Sequence, residues 1–151
     1  MVVPPAVAAG RVFISALLPD IENDSLYALD LGTGAELWHV ARAGGNSAPA
    51  ISGGIVYVGG DSLDFYAIDA ETGVERWRRS GEDLGASFVV IADDLIYATT
   101  SQGDLLALDA ARAGEERWRY EIGKAPYASP AVMNGVIFVG SEWGLFAIGE
   151  R

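Results

Sequence analysis

The residues with the clearest capacity for chemistry are three aspartates at regular spacing. Asp30, Asp69 and Asp109 each close a short apolar segment, and each precedes a glycine and then a tryptophan. Grouped carboxylates can serve as general acid and base, or they can bind a divalent cation. Other residues that such sites recruit are scarce, because the 151 residues include one histidine, His39, and no cysteine. The composition therefore excludes thiolate catalysis, cysteine-bound zinc and multi-histidine metal sites.

The aspartates are positioned by a repeat of about forty residues. The apolar segments align on Ala28, Ala67, Ala107 and Ala147, which lie 39, 40 and 40 residues apart. Each unit contains four apolar or aromatic patches in the same order, separated by Gly, Asp or Asn turns, which predicts four short strands, A to D. No segment combines a 3.6-residue apolar period with caps, so helix should be nearly absent. Four antiparallel strands per unit predict the blade of a β-propeller.

The core of each unit is the pattern Ala-x-Asp-x-x-Thr-Gly-x-x-x-Trp. The aspartate can accept hydrogen bonds from the following turn, and the glycine can adopt the positive φ of a tight hairpin. The tryptophan returns on strand D as a large apolar group whose N–H can donate to a carbonyl. The third copy has one extra residue and Ala113 in place of the threonine. The residues that fit the pattern are Ala28, Asp30, Gly34, Trp38, Ala67, Asp69, Gly73, Trp77, Ala107, Asp109, Gly114 and Trp118.

This pattern resembles the PQQ-like (pyrroloquinoline-quinone) β-propeller repeat family. That family includes quinoprotein alcohol dehydrogenases, outer-membrane assembly lipoproteins of the BamB type and sensor domains of bacterial kinases. The resemblance implies that Trp38, Trp77 and Trp118 each lie between the alanine of their own motif and the glycine peptide of the next blade. These tryptophans and the aspartates are then a structural docking motif, and the resemblance assigns them no catalytic role.

The expected architecture is an all-β propeller of about four PQQ-like blades, half of an eight-bladed ring, in a single domain over residues 1–151. The expected blades span residues 4–42, 47–82, 86–123 and 127–151, and the last lacks its outer strand. Three arrangements would complete such a half-ring. The chain can be a fragment of a longer protein, two copies can close an eight-bladed ring, or four blades can close on themselves.

A candidate binding face follows from propeller topology, because the B–C and D–A loops share one side of the ring. Trp143 falls on the B–C turn of the fourth unit, and Tyr127, Lys124 and Asn46 fall on D–A connections. An exposed tryptophan there favours a ligand or partner contact. The alternative, which the sequence favours, is a tryptophan folded onto its own blade or exposed by truncation. The acidic loop Asp20–Asp24 could bind Ca²⁺, but it lacks an EF-hand pattern and is better explained as a solvated loop.

The expected function follows from the net charge and from the lack of recognisable catalytic or metal-binding residues. The formal net charge of −11 disfavours nucleic acid and anionic membrane surfaces as partners, and no apolar run is long enough to insert into a membrane. We expect a non-catalytic scaffold without a cofactor that binds a protein, a peptide or a small ligand through its loop face, or a second copy of itself. The alternatives are a fragment of a PQQ-dependent quinoprotein dehydrogenase, with PQQ and Ca²⁺, and an engineered or truncated repeat protein. The resemblance favours a periplasmic or extracellular location, although the N-terminus lacks a secretion signal.

Overall fold

The computed structural model describes residues 3–16, 25–45, 47–60, 64–80, 88–123 and 129–149. These residues form fifteen β-strands in four antiparallel sheets, together with one short 3₁₀ turn at Ala110–Arg112. The described part of the chain contains no α-helix. The all-β prediction is therefore confirmed, and each sheet is one propeller-type blade.

The strands follow one another across each blade in chain order. Blade 1 contains β1 (Ala6–Ala8), β2 (Arg11–Ala16), β3 (Ser25–Asp30) and β4 (Glu36–Ala41). Blade 2 contains β5 (Ala50–Ser52), β6 (Ile55–Gly59), β7 (Phe65–Asp69) and β8 (Glu75–Arg79). Blade 3 contains β9 (Val89–Ala92), β10 (Leu95–Thr99), β11 (Asp104–Asp109) and β12 (Glu115–Glu121). Blade 4 contains β13 (Ala131–Met133), β14 (Val136–Ser141) and β15 (Gly144–Gly149).

Each complete blade has the same register around its motif alanine. Ala28, Ala67 and Ala107 lie opposite the tryptophan of the outer strand, and the register shifts by a bulge immediately after the alanine. A bulge increases the local twist of the strand and re-aims the side chains beside it. The small alanine side chain leaves room for the indole across the ladder. The repeated motif thus places each tryptophan at the same point of its blade.

Three hydrophobic clusters lie between consecutive blades. The forward face of a blade is defined as the side that packs on the following blade, and the rear face is the opposite side. The first cluster joins Phe13 and Leu26 on the forward face of blade 1 to Val56 and Ile68 on the rear face of blade 2. The second and third clusters repeat this arrangement between blades 2 and 3 and between blades 3 and 4. Because strand side chains alternate, each inner strand supplies apolar residues to both of its faces.

Blade 4 has three strands in the described residues, whereas the other blades have four. The prediction that the last blade lacks its outer strand agrees with this arrangement. The expected blade limits at residues 4–42, 47–82, 86–123 and 127–151 stay a prediction. Among the described residues, no helix is long and apolar enough to cross a membrane.

Candidate functional site

The carboxylate of Asp30 is used within its own turn. Its Oδ1 accepts hydrogen bonds from the backbone N–H of Gly32 at 3.1 Å and of Thr33 at 2.8 Å, and from the Thr33 hydroxyl at 2.7 Å. Gly34 has φ +72° and donates its N–H to the Asp30 carbonyl at 2.8 Å. The hydrogen bond from the Thr33 side chain, supported by the backbone donors, lowers the pKa of Asp30. The carboxylate is thereby held as an ionised turn residue.

Asp69 occupies the same turn in blade 2 and also has a cationic partner. Its Oδ1 accepts from the Thr72 N–H and from the Thr72 hydroxyl, both at 2.9 Å, while its Oδ2 lies 2.6 Å from Nη2 of Arg76. The hydrogen bond from Arg76, followed by those from Thr72, holds the pKa of Asp69 well below its usual range. Asp69 is therefore a poor candidate for a proton-transferring group near neutral pH.

Asp109 is the aspartate of the longer third turn. Its Oδ1 accepts from the N–H groups of Ala111 and Arg112, and its Oδ2 binds Arg117 at 2.8 Å. The extra residue is accommodated by the 3₁₀ turn and by Ala113, which has the left-handed φ of 53°. In the part of the chain that the structure describes, no group of three or more His, Cys, Asp or Glu is placed to hold a metal ion.

The tryptophans of blades 1 and 2 cover glycines of the following blade. A side-chain carbon on Gly73 would lie 2.8 Å from the Trp38 ring, and one on Gly114 would lie 2.8 Å from the Trp77 ring. Such distances leave room only for hydrogen at these positions. Each indole also packs on an aromatic ring of its own blade, Phe13 for Trp38 at 5.7 Å between ring centroids. These contacts have the form that the PQQ-like resemblance implies.

Two details of these contacts differ from the expectations. The buried Nε1 of Trp38 has no hydrogen-bond partner among the described residues, although its N–H was expected to donate to a carbonyl. In blade 4, neither Gly135 nor Gly149 lies against the Trp118 ring as Gly73 and Gly114 lie against the rings of Trp38 and Trp77. Trp118 lines instead a cleft of about 540 Å³ between blades 3 and 4, together with Tyr97 and Ile148.

An arginine reinforces one junction in a way that the sequence did not reveal. Arg79, two residues after Trp77, donates from Nη1 to the carbonyl of Gly114 at 2.8 Å and lies 3.3 Å from Glu116. It therefore bonds to the glycine that its neighbouring tryptophan covers. Blades 1 and 3 carry Val40 and Tyr120 at the matching position, so no repeat pattern indicated this role.

Trp143 is held on the side of the molecule where the loops were expected to meet. The turn between β14 and β15 is closed by a hydrogen bond from the Trp143 N–H to the Ser141 hydroxyl at 3.1 Å, and that hydroxyl donates to the carbonyl of Ile122. The indole covers Gly123, where a side-chain carbon would lie 2.5 Å from the ring. Trp143 nevertheless remains 61% exposed. The indole therefore packs on blade 3, because Gly123 follows strand D of that blade, and not on its own blade as one form of the alternative expected. The other form, exposure by truncation, is not tested.

The remaining sequence candidates are not placed by the structure. Tyr127, Lys124, Asn46 and the acidic loop Asp20–Asp24 lie outside the described residues. The loops beside them do lie together, since Ala43 bridges to Gly60 and the Ile122 N–H donates to the Gly103 carbonyl at 2.8 Å. Besides Arg79, sequence reasoning missed Gly123. Its signal was the matching glycine Gly44, which also follows an outer strand and a buried apolar residue.

The sequence matches a known protein family. A family model described as outer membrane protein assembly factor BamB matches residues 65–148, more than half of the chain. The chain belongs to this family. The BamB of Yersinia pestis is 32% identical over 136 aligned positions, which cover 79% of this chain. The same alignment covers 33% of that relative, so this chain spans about a third of the relative's length.

Solved structures share the fold. The crystal structure of BamB from Moraxella catarrhalis matches with a TM-score of 0.73 and 21% identity, over 97% of this chain and 44% of that one. The computationally designed Ika4 protein matches with a TM-score of 0.75 and 15% identity, over 96% of this chain and 89% of that one. The quinohemoprotein alcohol dehydrogenase from Comamonas testosteroni matches with a TM-score of 0.61 and 22% identity, over 84% of this chain and 22% of that one. These likenesses support the propeller-blade architecture, which BamB shares with redox enzymes.

Proposed function

We propose that this chain is a non-catalytic β-propeller scaffold that binds a protein partner in outer membrane protein assembly. Membership of the BamB family supports the setting. The use of Asp30, Asp69 and Asp109 in turn hydrogen bonds supports the absence of a catalytic role for these residues. The docking motif acts within the scaffold, where its tryptophans join one blade to the next.

The proposed binding role rests on the exposure and the fixed position of Trp143. Its ring is mostly exposed, yet its position is fixed by the Ser141 hydrogen bond and by the contact with Gly123. A tryptophan held rigidly before binding loses little conformational freedom when a partner covers it, and tryptophan is enriched among the residues that dominate interface energies. We assign Trp143 as the anchor of the partner-binding face, with Tyr127, Lys124 and Asn46 as further candidates on that side.

Site-specific photocross-linking in the source cell tests this assignment. A photoreactive phenylalanine analogue replaces Trp143 in one variant and Val74 in a matched control, since Val74 is an apolar residue with 60% exposure on a distant turn. We expect a cross-linked protein at position 143 that is missing at position 74. Equal cross-linking at both positions, or none at position 143, would contradict the proposed face.

Two substitutions then measure the role of the fixed ring. Trp143→Ala should weaken binding of the identified partner by about 2 kcal/mol or more, which is more than tenfold in Kd. Gly123→Ala should also weaken it, because a methyl group there displaces the ring. Isothermal titration calorimetry on folded variants gives the Kd values. Unchanged affinity for Trp143→Ala would refute its role as anchor.

The likeness to the quinohemoprotein alcohol dehydrogenase supports a second candidate, a fragment of a PQQ-dependent dehydrogenase. The described residues do not fit a calcium–quinone site, because the repeat aspartates are engaged in their turns and no metal-binding group is found among them. Titration with PQQ and Ca²⁺ separates the candidates. The scaffold proposal expects no stoichiometric quinone absorbance, and a redox-active complex would overturn it.

A further inference from the structure

Arg11 occupies a position at which the next two blades carry an apolar residue. Each strand B begins at this position, opposite the motif aspartate of its blade. The counterparts in blades 2 and 3 are Ile55 and Leu95, and both pack against the clusters between blades. Arg11 lies two residues before Phe13 on the forward face of blade 1, beside the junction with blade 2. A charged residue that breaks a repeated apolar pattern is expected where a protein has a functional site.

The guanidinium of Arg11 has few hydrogen-bond partners for a half-buried cation. Among the described residues it makes one side-chain hydrogen bond, from Nη1 to the Ala9 carbonyl at 3.3 Å. Its Nε is buried and has no partner there. Asp30 lies opposite Arg11 in the ladder, but its Oδ1 accepts from Gly32 and Thr33. An arginine offers five N–H donors in one plane, and burying a cation without partners is costly, so this side chain is suited to binding an anion.

A cleft of about 340 Å³ opens beside Arg11, between blades 1 and 2. Its apolar lining consists of Ala8, Phe13, Ile51 and Ala70. These four residues belong to the first hydrophobic cluster or pack against it, so the cleft lies where that cluster reaches the surface. The turn glycines Gly53 and Gly54 also line it, and a carbon added to either would have nothing within 4 Å. A space of this size suits a small ligand or the end of a peptide chain.

The other charges of the cleft restrict the ligand to one negative charge. Asp69 and Glu71 also line the cleft. Asp69 is engaged by Arg76 and Thr72, whereas Glu71 is exposed. These carboxylates would repel a second negative charge, which disfavours phosphates and dicarboxylates as ligands. A single carboxylate can accept two parallel hydrogen bonds from a guanidinium, and an apolar group beside it would contact the apolar lining.

We propose that this cleft binds a monocarboxylate with an apolar group, and that Arg11 holds the carboxylate. Free carboxylic acids and the C-terminal residue of a peptide share this chemistry. The site lies on the side of the molecule that carries the A–B and C–D turns, whereas Trp143 lies on a B–C turn at the other side. It is therefore separate from the proposed partner-binding face and is testable without that partner.

Titration of the isotopically labelled chain, followed by hydrogen–nitrogen correlation NMR, tests the proposal. The probe is N-acetyl-leucine, and the controls are N-acetyl-leucinamide, which lacks the carboxylate, and the dianion succinate. We expect N-acetyl-leucine to shift the Arg11 Nε–H resonance and the Gly53 and Gly54 amides saturably, with a Kd in the millimolar range. The controls should cause no saturable shift. Equal shifts from N-acetyl-leucinamide, or no saturable shift with N-acetyl-leucine or with the peptide described next, would overturn the proposal.

The peptide N-acetyl-Ala-Ala-Leu with a free C-terminus distinguishes the two sources of the carboxylate. Binding tighter than that of N-acetyl-leucine supports a peptide C-terminus as the ligand. Equal or weaker binding supports a small carboxylic acid, because the added residues then make no favourable contact.

Three variants separate a binding role of Arg11 from a structural one. Arg11→Leu places the blade 3 residue in blade 1 and should abolish binding, while the urea midpoint stays the same or rises because a poorly paired cation leaves the junction. Arg11→Lys keeps the charge but loses the paired donors, so binding should weaken about tenfold. Arg112→Leu is the matched control, since Arg112 pairs with Asp109 and Glu115 on a turn of blade 3, and it should bind like wild type. Retained binding in Arg11→Leu, or a lower urea midpoint that assigns Arg11 to the fold, would contradict the site.

Discussion

Two motif glycines with the same backbone provide a direct measure of the contact between blades. Gly34 and Gly73 occupy identical turns, with φ of +72° and +73°. An added methyl group at Gly34 would have nothing within 4 Å, whereas one at Gly73 would lie 2.8 Å from the Trp38 ring. Replacing each glycine by alanine therefore applies the same backbone strain at both positions and a steric conflict at only one.

The expected losses in unfolding free energy follow from the backbone strain and the steric conflict. The left-handed conformation costs a non-glycine residue about 1–2 kcal/mol, which Gly34→Ala and Gly73→Ala share. Overpacking against a fixed ring adds typically about 1–3 kcal/mol. Gly73→Ala should therefore reduce the free energy of unfolding by about 1–3 kcal/mol more than Gly34→Ala does. Urea unfolding followed by far-ultraviolet circular dichroism measures both values.

A double-mutant cycle assigns the difference to Trp38. Trp38→Ala should itself cost about 3 kcal/mol, near the lower end for a large aromatic, because Trp38 is only half-buried. In the Trp38→Ala background, Gly73→Ala and Gly34→Ala should become equally costly, since the ring that the methyl group would meet is gone. Equal costs already in the wild-type background would refute the idea that Trp38 restricts Gly73 to glycine.

Other expectations follow from the charged contacts. The pKa of Asp69 is lowered in the folded chain by Arg76 and Thr72, so unfolding takes up a proton below about pH 4 and stability should fall as the pH drops below that point. Asp69→Asn should flatten this dependence in urea midpoints between pH 3 and 7, and an unchanged slope would contradict the assignment. Arg79→Met should cost about 1 kcal/mol in unfolding free energy because it leaves the Gly114 carbonyl without its donor, and no measurable cost would remove Arg79 from the junction.

Much of the blade architecture could be predicted because the repeated strands and turns depend on residues that are close together in the sequence. Strand alternation, turn glycines and the spacing of Ala28, Ala67 and Ala107 all depend on short-range periodicity, and the sheets follow them. The aspartate turns could likewise be predicted, since an aspartate three residues before a threonine can accept hydrogen bonds within the same turn. The extra residue of the third turn was visible in the sequence, but its accommodation by a 3₁₀ turn with Ala113 at positive φ was not.

Some contacts between blades could not be read from one blade's pattern. Gly123 and Trp143 are twenty residues apart and meet only because a loop of one blade lies against a turn of the next. The Arg79 contact with Gly114 has the same origin. The contacts of Trp38 with Gly73 and of Trp77 with Gly114 were implied by the repeat motif, but the pairing of Arg79 with Gly114 occurs at one junction only and has no repeated counterpart.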